Sequence, residues 1–139
     1  MGKRRIWKSL LLLAAAAMTT GATNLSKDND ARIDYIEFRA TDLERIKAFY
    51  GEVFRWKFTD FGPDYTSFED GRLAGGFHQG EATPGGPLIV IYAVHLEAMQ
   101  TKIEAAGGRI VKPIFPFPGG RRFHFHDPSG NELAVWSDK

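Results

Sequence analysis

Two rhythms of apolar residues run along the chain. Leu43, Ile46, Phe49, Tyr50 and Val53 recur at spacings of three and four, so they form one stripe on a helix whose opposite face carries Glu44, Lys47 and Glu52. Leu96, Met99, Ile103 and Ala106 repeat the stripe, and Gly107-Gly108 ends it. Thr41 has capping-box spacing to Glu44, which predicts that Thr41 caps the first helix. Alternating or continuous apolar runs predict strands over Ile33–Arg39, Lys57–Phe61, Tyr65–Glu69, Arg72–Phe77, Leu88–Val94, Arg109–Ile114, Arg121–His126 and Glu132–Trp136. Asp70-Gly71 is a strong hairpin signal between two of them.

These elements fall into two series of the same order. With an offset of 53 residues, Ile36 meets Ile89, Phe38 meets Ile91, Leu43-Glu44 meets Leu96-Glu97 and Tyr50 meets Ile103. The expected fold is α+β: two βαβββ modules, at about 32–79 and 87–137 within a domain of 32–139, whose curved mixed sheets enclose a cleft. Between Val111 and Gly120, Pro113, Pro116 and Pro118 interrupt the alternation, so that segment is expected at a sheet edge or in a loop. Phe115 and Phe117 within it are expected to lid the cleft or to pack on a second subunit.

The charge balance changes the reading of the N-terminus. The 139 residues carry 18 Lys plus Arg against 17 Asp plus Glu, yet Lys3, Arg4, Arg5 and Lys8 stand before an apolar run, Leu10–Met18, and no acidic residue precedes Asp28. Basic start, short apolar run and the small residues Thr19 to Ala22 follow the grammar of a cleaved export signal over 1–22, with the alternative of an amphipathic N-terminal helix. The run is too short for the roughly 20 residues of a membrane span. Residues 23–31 then form a linker, and the mature chain keeps 14 positive and 17 negative residues, a net charge of −3. An exported, periplasmic protein without a membrane span follows. The absence of Cys removes disulfides, thiolate ligands and a cysteine nucleophile. The acidic mature chain, with no phosphate-binding glycine loop, zinc-protease helix or basic stripe, argues against a nucleic-acid partner.

Asp42-Leu43-Glu44-Arg45 followed by Phe49-Tyr50 and Val53-Phe54-x-Trp56, the pair Gly75-Gly76, Ala106-Gly107-Gly108 and the turn Asp127-Pro128-Ser129-Gly130-Asn131 together resemble the vicinal oxygen chelate superfamily. That superfamily contains glyoxalases (lactoylglutathione lyases), bleomycin-resistance proteins, fosfomycin-inactivating transferases and extradiol dioxygenases. The resemblance covers about 31–137 and implies a homodimer. The terminal motif, taken alone, is a tight turn between two strands: Pro128 fixes φ, Asp127 caps, and Gly130 supplies the left-handed position.

Metal-dependent relatives hold a divalent ion with four inward side chains, usually His or Glu. Carried over, those positions fall on Tyr35, Gly75 or Gly76, Leu88 and Ala134, three of which offer no side-chain ligand. The resemblance therefore implies the cavity without its usual metal, and no cofactor is expected. Strand alternation places Tyr35 and Glu37 on the cleft face of the first strand, Arg122, His124 and His126 on that of the seventh, and Ala134, Glu132 and Trp136 on that of the last. Relatives that modify fosfomycin contact substrate at the positions of His124 and Glu37.

Two functions remain open at this point. One is a binding protein for a small aromatic or anionic molecule, with Tyr35, Arg122, Trp136 and Phe117 as ligand-binding residues. The other is a lyase or isomerase in which Glu37 and His124 are catalytic as acid and base. Against both stands the plain alternative that Glu37 merely neutralises Arg122 or Arg39 and that His124 is a satisfied strand residue. A divalent metal could return through His124 and His126 with Glu37 or Glu132, or as in a metal-dependent lactoylglutathione-lyase-like enzyme.

Overall fold

In the computed structural model, which describes residues 31, 33 and 35–139, the chain forms two modules of the same internal order. The first is β1 (Tyr35–Ala40), α1 (Leu43–Phe54), β2 (Lys57–Asp60), β3 (Tyr65–Glu69) and β4 (Ala74–Gln79). The second is β5 (Ile89–Tyr92), α2 (Leu96–Ala105), β6 (Arg109–Phe117), β7 (Gly120–His126) and β8 (Glu132–Ser137). The expected export signal and, Ala31 excepted, the linker lie outside the described residues. Among the described residues no helix is long and apolar enough to cross a membrane.

The repeat expected from the offset is visible in the topology. One sheet has the order β1-β4-β3-β2 and the other β5-β8-β7-β6; in each the outer strand runs parallel to its neighbour while the remaining pairs are antiparallel. The sheets are separate and open, with no strand of one paired to a strand of the other among the described residues.

Two local expectations are corrected. Asp42, not Thr41, caps α1, with its Oδ1 accepting from the Arg45 N–H at 3.0 Å. The helix begins at Leu43, so Asp42, extended at φ −140°, stands at the capping position, while Thr41 lies one residue further out with its backbone N–H donating to Ser129 Oγ. Strand β4 starts at Ala74, not Arg72, because Asp70 Oδ1 draws in the N–H groups of both Arg72 and Leu73 and curls the chain into a turn. The proline-rich segment does extend as β6 to Phe117, at the sheet edge, where its register slips twice between Ile110 and Phe115.

The first helix buries its whole predicted stripe in one continuous core, while the second buries Leu96 and Ile103, with Met99 and Ala106 partly buried against it. Ile46, Phe49, Tyr50, Phe77, Leu96, Ile103, Phe123, Phe125, Leu133 and Val135 are all essentially inaccessible. The Phe49 ring of α1 lies 6.1 Å from the Phe125 ring of β7, so the first module's helix packs against the second module's sheet. Within the first module Tyr50 stacks on Trp56 and Trp56 on Phe68, with centroids 4.5 and 4.3 Å apart.

One polar contact runs through this apolar junction. The Tyr50 hydroxyl donates to Asp127 Oδ2 at 2.9 Å, both groups being buried. Asp127 also accepts from the Ser129 and Asn131 backbone N–H groups and from Asn131 Nδ2. Asn131 Nδ2 in turn reaches the Arg39 carbonyl at 2.8 Å. Gly130 takes φ 91° to close the turn. The motif that reads as a strand turn is thus also the contact by which the second module grips the end of β1 and α1. Burial pushes the Asp127 carboxyl up while its four donors pull it down. Replacing Tyr50 by Phe should cost about 1.5–3 kcal/mol in urea unfolding, and Asp127→Ala more, because it strands several buried donors at once; a loss below about 0.5 kcal/mol for both would show that the modules are held by apolar packing alone.

Candidate functional site

The residues singled out from the sequence gather into two groups, one on each sheet. In the first module, the Tyr65 hydroxyl donates to Glu37 Oε1 at 2.9 Å and lies 2.7 Å from the Tyr35 hydroxyl. With the single proton of Tyr65 spent on Glu37, Tyr35 is the donor of the second bond. Tyr65 is buried on β3, whereas Glu37 is exposed on β1. Burial, reinforced by its two neighbours, drives the Tyr65 hydroxyl far above the ordinary tyrosine value, and burial also raises Tyr35. Both phenols therefore stay protonated at neutral pH.

Gly76 makes this chain possible. Its Cβ, if present, would collide with the Tyr65 hydroxyl and crowd that of Tyr35. Tyr65 is the residue that sequence reasoning missed: alternation places it on a face of β3 but says nothing of how far its ring reaches across β4 towards β1.

In the second module, β6, β7 and β8 bring together Arg122, His124, Phe117 and Trp136. The Arg122 guanidinium sits over the Phe115 ring at 5.2 Å and the Phe117 ring at 5.4 Å. Phe117 meets Trp136 edge-on at 6.1 Å, and Trp136 meets Tyr92 at 5.2 Å. His124, 4% exposed, lies with its ring 5.8 Å from that of Phe115. Arg122 Nε and both ring nitrogens of His124 are buried without a hydrogen-bond partner. Burial first, then the charges of Lys112 and Arg122, hold the His124 imidazole below the ordinary histidine value against the pull of Glu132. The face thus combines edge-on and tilted aromatic rings, the Arg122 cation and an imidazole held towards its neutral form.

The two plain alternatives fail on this geometry. Among the described residues Glu37 forms no ion pair with Arg39 or Arg122; its partner is Tyr65. His124 is not a satisfied strand residue, since neither ring nitrogen has a hydrogen bond and Glu132 Oε1 stands 3.6 Å from Nδ1. Nor does a hydrogen bond or ring contact between described residues join the Tyr35–Glu37 group to the Arg122–His124 group, so direct proton exchange between Glu37 and His124 is not set up here.

The donor set at the inherited metal positions does not fit a divalent ion. Tyr35 is spent in the hydroxyl chain, Gly76 is covered by Tyr65, and Leu88 and Ala134 carry hydrocarbon. Among the described residues no three His, Asp or Glu side chains are grouped as ligands. His126 is drawn instead to Arg109, whose guanidinium lies 3.1 Å from Nδ1.

Paired βαβββ modules with polar groups on the strand faces away from the helices define a recognisable class of protein. The chain belongs to the Glyoxalase/Bleomycin resistance protein/Dioxygenase superfamily, whose model matches residues 32–135. Among solved structures it is similar to a glyoxalase/bleomycin resistance protein/dioxygenase family enzyme from Burkholderia phytofirmans PsJN, at 16% identity and a TM-score of 0.68, covering 77% of this chain and 100% of that one. A mutant of the fosfomycin resistance protein FosX from Listeria monocytogenes, complexed with Mn(II) and 1S,2S-dihydroxypropylphosphonic acid, is similar at 18% identity and a TM-score of 0.68, over 76% and 89% of the two chains. A lactoylglutathione lyase from Agrobacterium tumefaciens follows at 21% identity and 0.60, over 77% and 93%. No match was found among curated proteins. At these identities the structural likeness establishes the fold.

A histidine held below its unfolded value of 6.5 lets the unfolded chain bind more protons than the folded one. Its contribution to stability is whole above that value and is lost as the pH falls below it towards the folded pKa. Native protein should therefore lose more stability between about pH 7 and pH 5 than His124→Gln does. Parallel pH profiles from urea unfolding would show that His124 is not held neutral.

Proposed function

We propose that the β6–β7–β8 face binds a small aromatic anion and releases it chemically unchanged. The observation that carries this reading is Arg122: its guanidinium is fixed between Phe115 and Phe117 with Nε buried and unpaired. A half-buried cation held by ring faces, with a donor to spare, suits a carboxylate, phosphonate or phenolate. Phe117 and Trp136 offer edges and faces to a flat body attached to it. Glycine and hydrocarbon at the family's metal positions support binding that needs no divalent metal.

A lyase or isomerase is a second reading, favoured by one observation. His124 is held towards its neutral form and has no hydrogen bond beside Arg122, which is the state of a proton acceptor next to an anion-holding group. Glu37, engaged by Tyr65 on the other sheet, has a less direct part in it.

The wider setting is also proposed. Export to the periplasm rests on residues 1–22. A homodimer is supported by family likeness and by Leu88, Val90, Tyr92 and Val94, all more than a third exposed along the edge strand β5 and its flanks. Sedimentation equilibrium at micromolar concentration should give a dimer; a monomer removes that part.

Isothermal titration with benzoate tests the binding reading. Arg122→Met should weaken binding about 10- to 100-fold, the worth of a charge-assisted contact. Pre-treatment with a chelator should leave the affinity of the native protein unchanged, and benzoate recovered after incubation should be intact by NMR. Binding that survives Arg122→Met, or that the chelator abolishes, overturns the proposal.

A further inference from the structure

We infer that Glu132 sets the tautomer of His124, and that the ligand of this face consequently carries a hydrogen-bond donor beside its anionic group, as an aromatic hydroxy acid does. The inference rests on the anion-binding reading above and goes beyond it by specifying what stands next to the anion.

A neutral imidazole has one N–H and one lone pair, and a buried His124 has nowhere to hide either. Glu132 Oε1 lies 3.6 Å from Nδ1. That is longer than a hydrogen bond, but it decides the tautomer. A proton on Nδ1 faces an acceptor; a lone pair there would face a carboxylate oxygen at close range. Nδ1 therefore carries the hydrogen, and Nε2, on the far side of the ring from Glu132, is left as an acceptor without a partner. Outer groups commonly fix histidine tautomers in this way, and such contacts are often long before a ligand arrives.

The neighbours of His124 explain what Nε2 would accept from. Lys112 stands opposite it in the β6–β7 register and Arg122 two residues along the same face of β7. Arg122 and His124 share the Phe115 ring, at 5.2 and 5.8 Å. Both flanking charges are donors and disfavour a second proton on the ring, and His126, next along the face, is turned to Arg109. An anion seated on Arg122 thus has its adjacent atoms beside the His124 ring, two residues along the same strand face. A hydroxyl there gains a bond, whereas an ether or a bare carbon leaves the buried lone pair unmet. Glu132, half exposed at the start of β8, acts through His124 and is a positioning residue.

Titrations at neutral pH with phenylacetate, mandelate and 2-methoxy-2-phenylacetate separate the contributions. Native protein should bind mandelate about five- to tenfold more tightly than phenylacetate, and methylation of the hydroxyl should remove the gain. In Glu132→Ala the mandelate preference should fall towards unity with phenylacetate affinity unchanged, and Glu132→Gln, whose amide oxygen still accepts from Nδ1–H, should restore it. Two-bond proton–nitrogen NMR should show the Nδ1–H tautomer of His124 in native protein and a shift from it in Glu132→Ala, a change that a purely structural role for Glu132 would not produce. Equal binding of phenylacetate and mandelate, both dependent on Arg122, overturns the inference and leaves the anion-binding reading standing. Failure of all three probes to bind overturns both.

Discussion

A buried hydroxyl meeting a buried carboxylate holds this fold in register. Tyr50 lies in the middle of the first module's helix and Asp127 in the last turn of the second module, and their bond crosses a junction otherwise made of phenylalanine rings. A carboxylate in such a place is costly unless surrounded by donors, and Asp127 has four. Apolar packing alone tolerates sliding; a satisfied polar contact within it does not. The same turn, through Asn131 and Ser129, fastens the Arg39 carbonyl and the Thr41 amide, so the end of β1 is placed by the second module. The orientation of both polar faces follows from that junction.

The two faces have taken different chemistry onto the same scaffold. On the first sheet Gly76 leaves space that the Tyr65 hydroxyl fills, and the result is a short hydrogen-bonded chain ending at Glu37. On the second, an edge strand broken by prolines turns Phe115 and Phe117 over an arginine. Neither face resembles a set of imidazoles and carboxylates waiting for an ion. Family membership fixes the frame, while what can be bound depends on these side chains.

Much of the frame was legible in the sequence because it depends on local periodicity. The stripes Leu43 to Val53 and Leu96 to Ala106, the offset of 53 residues and the inward parity of Arg122, His124 and Trp136 need only spacing. Contacts between distant residues were not legible. Tyr50 reads as a stripe member and Asp127 as a turn residue, and nothing in either signal pairs positions 77 residues apart. Thr41 has the right spacing for a cap, but the helix starts one residue later than that spacing implies, so Asp42 caps while the Thr41 amide donates to Ser129. Tyr65 went unnoticed because its importance comes from the reach of its ring over Gly76. Glu132 was legible as a cleft-face carboxylate, but not that it stands beside Nδ1 of His124.

The central claim is that the second sheet's aromatic face, with Arg122 at its centre, is where a ligand is held. Nitrogen-15 NMR of the arginine Nε–H groups, recorded while benzoate is added to chelator-treated protein, tests it most directly. The account predicts a saturating downfield shift of the Arg122 Nε–H, with the Tyr35 and Tyr65 hydroxyl environment undisturbed. A silent Arg122 accompanied by shifts around Tyr35, Glu37 and Tyr65 would contradict it.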